Sequence, residues 1–189
     1  REFYQHILFD FPRVSKHLPF KASTQSINWR ADQHSLEQWQ QGQTGIPIVD
    51  AGMRQLLATG WMHNRVRMIC AMFLSKNLLI DWRIGEQWFM QHLIDGDLAA
   101  NNGGWQWCAS TGTDAAPYFR VFNPISQSQK FDSNGDYIRK WVPELAHLDA
   151  QIIHEPYAKD LSKNLNYPKP IVDLKTSRAR AIEAFKSNL

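Results

Sequence analysis

Cysteine is scarce in this sequence: Cys70 and Cys108 are the two thiols among 189 residues. They form neither a paired framework nor a CxxC site, which fits a reducing, cytoplasmic setting. Long apolar runs are missing as well. The longest, around 68–80, is broken by Ser75, Lys76 and Asn77, whereas a membrane span needs about 20 apolar residues. No membrane partner is therefore expected. Sustained apolar–polar alternation with β-branched residues is absent, and the one Asn-Gly pair, Asn134-Gly135, lies in polar surroundings; hairpins are not expected. The seven histidines fall in no HExxH, HxxxH or Cys/His knuckle spacing, so no metal site is expected. GxSxG, Walker and GxGxxG strings are also missing, which leaves hydrolase, P-loop and Rossmann chemistry without local support.

What is present is a globular balance, 43% hydrophobic and 21% charged, with no linker-like or single-sign run. The length suits one domain with its own core. A net charge of +3 and a pI near 8.9 permit a nucleic-acid partner without requiring one. Eight tryptophans exceed ordinary usage, and this large ring serves cores, stacking platforms and redox relays.

The pattern along the chain is helical. "REFYQHILFDFP" reads as the inside of an amphipathic helix with Phe3, Ile7 and Leu8 on one face and no N-cap before it, which predicts a C-terminal fragment of a longer protein. Ser35 can cap a short helix that stops at Gly42. "TGIPIVDAGMRQLLATG" predicts a helix opened by Pro47 and closed by Gly60, with Ile48, Val49, Met53, Leu56 and Leu57 on one face. Helical spacing recurs from Met62 to about Leu79, through Ile84, Trp88, Phe89 and Leu93, and in the tail "SRARAIEAFKSN". The region from Asn123 to Pro170 reads as long loops with short helices. The expected fold class is all-α.

Three constellations stand out. Asn64, Arg65 and Arg67 cluster at a helix start, where cations oppose the helix dipole. They make either an anion site or ion pairs with Asp50 or Asp95. Asp95-Gly96-Asp97 is either a turn between helices or a pair of acceptors for an amide-bearing ring, a ribose hydroxyl or an arginine. The string "NNGGWQWCASTGTDAAPYFRVFNP", 101–124, shows no clear helical or strand period. Its glycines let backbone approach a flat ligand, while Trp105 and Trp107 offer ring faces for packing or stacking. Arg120, Asn123, Gln127 and Lys130 follow, as a solvated loop or as a surface for an unstacked base.

In order, "REFYQH", "TGIPIVDAGMRQL", "GWMHNRVRM", "LLIDWR", "LIDGDLAANNGGWQW", "STGTDAAPYFRVFNP" and "YIRKWVPEL" resemble the C-terminal helical FAD-binding domain of the photolyase/cryptochrome family. Within it they are most similar to the bacterial class I cyclobutane pyrimidine dimer photolyases. The resemblance runs nearly end to end and implies that residues 1–189 are part of this catalytic domain. It also implies an N-terminal α/β antenna domain, with a folate or deazaflavin chromophore, outside this chain. The implied cofactor is FAD, and the implied partner is DNA carrying a pyrimidine dimer, bound by a monomer. The implied activity is a carbon–carbon lyase: light drives an electron from reduced flavin to a flipped-out dimer, which splits and returns it. The alternative is a cryptochrome-like photoreceptor that binds FAD without repair.

The resemblance also implies residue roles. Asp95, Gly96 and Asp97 match the Asp-Gly-Asp that touches flavin and ribose, and Asn101 matches the residue facing flavin N5, where asparagine favours repair. Arg67 matches an arginine expected to pair with Asp95, and Arg1 one near the FAD phosphates. Asn64 and Arg65 match the mouth of the dimer pocket. His63 followed by Asn64, in place of paired histidines, argues for the cyclobutane dimer. Trp107, Arg120 and Gln127 match DNA-facing positions. Trp105, Trp82 and Trp29 match a relay of three tryptophans running from flavin to surface.

Overall fold

The computed structural model describes residues 2–158 and 165–186. Among them the regular structure is helical, without strands: α1 (Glu2–Asp10), α2 (Gln33–Gln40), α3 (Pro47–Thr59), α4 (Asn64–Met72), α5 (Trp82–His92), α6 (Leu98–Cys108), α7 (Pro124–Phe131), α8 (Asp136–Trp141) and α9 (Leu174–Lys186).

The buried centre is α3. Ile46 is extended, Pro47 occupies the first turn, and Gly60 closes the helix in the left-handed region at φ 67°, donating its N–H to Leu56 O. Ile48, Val49, Met53 and Leu56 are buried, whereas Leu57 is exposed and leaves the expected apolar face. A Cβ on Gly52 would lie 2.5 Å from Val66 Cγ1, so this glycine lets α3 and α4 approach closely. Asp50, buried on α3, accepts from Thr44 N at 2.7 Å, Thr44 Oγ1 at 2.6 Å, Gly45 N at 3.0 Å and the Tyr167 hydroxyl. One carboxylate thus joins the segment before α3 to the chain before α9. Burial pushes the Asp50 carboxyl upward, against the pull of its hydrogen bonds from Thr44 and Tyr167.

Asp32, not Ser35, caps α2, and it accepts from the Ser35 amide. His63, Asp81, Asp97 and Asn123 likewise cap α4, α5, α6 and α7 with side-chain acceptors. The end of α4 widens into a buried π turn, Phe73–Asn77. Lys76 sits in that turn with no exposure; its Nζ donates to Ser110 Oγ at 2.8 Å and lies 3.4 Å from the centre of the Phe185 ring of α9.

The stretch 101–108, which shows no period in the sequence, is helical as part of α6. The reason is tertiary. A Cβ on Gly103 would fall 2.1 Å from the Tyr4 ring, so its bare backbone receives α1 rather than a ligand, while a Cβ on Gly104 would meet nothing within 4 Å. Arg1 lies outside the described residues.

Candidate functional site

Helices α4, α5 and α6 enclose a cavity of about 130 Å³. Its α6 wall is Ala100, Asn101, Gly104, Trp105 and Cys108, residues that recur at helical spacing on one face. From α4 come Asn64, Arg67, Met68 and Ala71; Phe89 of α5, Leu93 just beyond it and the turn Asp95-Gly96-Asp97 complete the wall. The cavity thus gathers Asn64, Arg67, Asp95, Gly96, Asp97, Asn101 and Trp105 from the residues singled out in the sequence.

Arg67 is held at both ends of its guanidinium. Its Nε donates to Met62 O at 2.6 Å, and Nη2 reaches both Asp95 oxygens at 3.0 and 2.9 Å. The pair is partly exposed, with side chains 24% and 48% accessible, so its energetic worth is small, about 0–1 kcal/mol; its effect is to fix where the charges point. Asp97 accepts from Ala100 N at 2.8 Å and so starts α6. Asn101 donates from Nδ2 to Glu86 O at 2.9 Å and to Glu86 Oε1 at 3.2 Å. With its amine edge tied back to α5, its carbonyl edge is left as an acceptor. Glu86 is buried, and burial raises its carboxyl above the usual range despite His17 and the Asn101 bond.

Trp105 is buried. Its indole rests on the backbone of Gly85, where a Cβ would come within 2.2 Å, and its Nε1 has no hydrogen-bond partner. Its ring neighbours are Phe89, 5.0 Å away, and Trp39, 6.1 Å away, both edge to face. Trp82 is buried on α5 with Arg83 over its ring at 5.0 Å, and Trp29 stands edge-on to Phe185 at 5.8 Å. Burial pushes the Cys108 thiol up to about 12, and Lys76 offsets part of that. Cys108 is therefore a neutral wall residue at ordinary pH.

The remaining candidates stand outside the cavity. Trp107 faces Phe122 at 6.5 Å and is half-buried. Arg120 is exposed in the loop before α7, and Gln127 lies on α7. Arg65 follows Asn64 on α4 and, unlike Arg67, pairs with no carboxylate among the described residues. No helix among the described residues is long and apolar enough to cross a membrane.

Residues 1–187 match the family model described as the FAD binding domain of DNA photolyase. The chain belongs to that family. Among photolyases, the deoxyribodipyrimidine photo-lyase of Escherichia coli K12 is 56% identical over 189 residues, which are 99% of this chain and 40% of that protein. The crystal structure of a bacterial class III photolyase from Agrobacterium tumefaciens superposes with a TM-score of 0.95 at 49% identity, covering 100% of this chain and 40% of that one. An archaeal photolyase from Sulfolobus tokodaii, solved with two FAD molecules, gives 0.92 at 40% identity, covering 99% and 42%. The chain thus spans about two fifths of the length of these photolyases.

The chemistry of the lining suits an apolar ring with an amide edge, as the flavin of FAD is. Gly104 leaves open space where any other residue would place a Cβ, and Met68, Ala71, Phe89 and Leu93 supply apolar walls. Donor and acceptor groups sit together at the Arg67–Asp95 and Asn101 sides. Sequence reasoning missed Glu86, Ala71, Phe89 and Leu93. Phe89 and Leu93 read simply as one apolar helix face, Ala71 carries no signal of its own, and a lone glutamate 15 residues before Asn101 gives no sign of its contact.

Proposed function

We propose that this chain is the flavin-holding part of an enzyme that repairs cyclobutane pyrimidine dimers in DNA by light. The observation that carries this reading is the cavity in which Asn101, Asp95, Asp97 and Arg67 converge on the open space beside Gly104, in a chain of the photolyase family. FAD, when bound and reduced, supplies the electron that splits the dimer.

The chain's own residues bind, orient and exclude water. Arg67 and Asp95 fix one polar edge of the ring site, and Asp97 adds an acceptor at the start of α6. Asn101, steadied by Glu86, presents a neutral acceptor where a carboxylate would add negative charge. Phe89, Leu93, Met68 and Trp105 keep that side dry, which strengthens every polar contact inside. Trp105 stands at the cavity wall, where the relay implied by the family resemblance would deliver an electron from Trp82 and Trp29. Asn64 at the cavity mouth, with Arg65, Trp107, Arg120 and Gln127 beyond it, forms the face offered to damaged DNA. A dimer leaves the stack at least cost because it already stacks and pairs poorly.

The test is loss of dimers from an oligonucleotide incubated with the intact protein and reduced FAD, in blue light and in the dark. Loss in light only is expected. No loss with FAD bound and reduced would favour the photoreceptor alternative and remove the repair reading.

A further inference from the structure

The described arginines divide into two groups. Arg30, Arg54, Arg67, Arg83 and Arg139 each meet a carboxylate within 4 Å. Arg13, Arg65, Arg120, Arg178 and Arg180 meet none among the described residues; what distinguishes Arg65 is that its guanidinium lies 4.5 Å from the centre of the Phe131 ring, at the end of α7. Lys130 Nζ lies 5.4 Å from the same ring. Two cations therefore share one aromatic ring, and neither is paired with an acid. The acid next to Phe131 in sequence is Asp132, whose two oxygens accept the Tyr137 and Ile138 amides at the start of α8.

Phe131 is 49% exposed, as several other large apolar residues of the chain are. What sets it apart among them is that two cations lie over its ring. A guanidinium stacked on an aromatic ring keeps its N–H donors pointing outward in its own plane, free for an oxyanion. The stacking also restricts a long side chain before any ligand arrives, which reduces the ordering cost on binding. Gln127 lies four residues before Phe131 on α7, so the two share a helix face.

We propose that Phe131 is a positioning residue that holds Arg65 ready for a DNA phosphate, with Lys130 as the second cation of the same phosphate-binding surface. This rests on the repair reading above. Repulsion between the two cations is relieved when a phosphate lies between them, so the surface is adapted to an anion rather than to an apolar partner.

The test is the affinity of the intact, FAD-loaded protein, in the dark, for a duplex carrying one cyclobutane dimer, over a series of salt concentrations. Phe131→Leu, which keeps bulk but removes the ring, is expected to weaken binding about threefold to tenfold and to lower the salt slope by about one phosphate contact. Phe131→Tyr is expected to bind as the parent does. Arg65→Ala combined with Phe131→Leu is expected to bind no more weakly than Arg65→Ala alone. Parental affinity in Phe131→Leu, or losses that add in the double variant, would overturn the proposal. So would failure of Phe131→Tyr to restore binding. If the parent itself binds damaged and undamaged duplex alike, the repair reading fails, an outcome separate from these three.

Discussion

Gly104 sits inside α6, where glycine costs a helix about 1 kcal/mol relative to alanine. Its Cβ position is open space within the cavity wall, so the residue weakens its helix and leaves room for a ligand. The two effects separate on substitution. Gly104→Ala is expected to raise the thermal midpoint of the protein without cofactor, by about 1 kcal/mol of stability, and to lower the amount of FAD retained after gel filtration. A variant that melts higher and keeps its full complement of FAD would remove Gly104 from the ring site. At this scale the polar groups were partly legible beforehand. The Arg67–Asp95 pair was one of two readings open from spacing, whereas Glu86 behind Asn101 was not legible, because its burial arises only when α5 and α6 pack.

Adjacent Gly103 acts between elements. The Tyr4 ring of α1 fills its Cβ position, with the nearest ring carbon 2.1 Å away. Gly103→Ala is therefore expected to push α1 from α6 and to destabilise by about 1–3 kcal/mol, opposite in sign to the change at Gly104. Chemical denaturation of the two variants side by side checks the signs; equal shifts would show that α1 does not bear on α6. These glycines also explain which helices the sequence revealed. In α3, Pro47 and Gly60 mark the ends, and the apolar residues between them follow the helical period because one core lies on one side. In α6, one face is shaped to α1, the opposite face to a cavity, and its small and polar residues follow neighbours rather than a period. Asn101 and Asn102 part company on that account: the first lines the cavity, the second is buried on the α1 side with Gln106.

Across the whole molecule, Lys76 joins α4, the loop after α6, and α9. Burial lowers its pKa to about 7, with Cys108 raising it and Lys21 lowering it by smaller amounts, against about 10.4 for a free lysine. The unfolded chain thus holds a proton between those values that the folded chain releases, so folding gains stability as pH rises from about 7 to about 10. Below about 7, both states carry the charge and the full cost of burying it remains. Lys76→Met removes this dependence. The stability of the parent relative to that variant is expected to rise by up to about 1.4 kcal/mol per pH unit from pH 7 to pH 10 in urea titrations; a flat difference would show Lys76 charged throughout. The cavity has its own consequence at this scale. Because α4, α5 and α6 carry much of the core as well as the ring site, unfolding must destroy the site. Occupancy and folding then obey one mass-action law: a ligand held only by the folded chain adds about 2.7 kcal/mol at a hundredfold excess over its Kd. The supply of cofactor in the cell thereby becomes a determinant of how long the chain survives there.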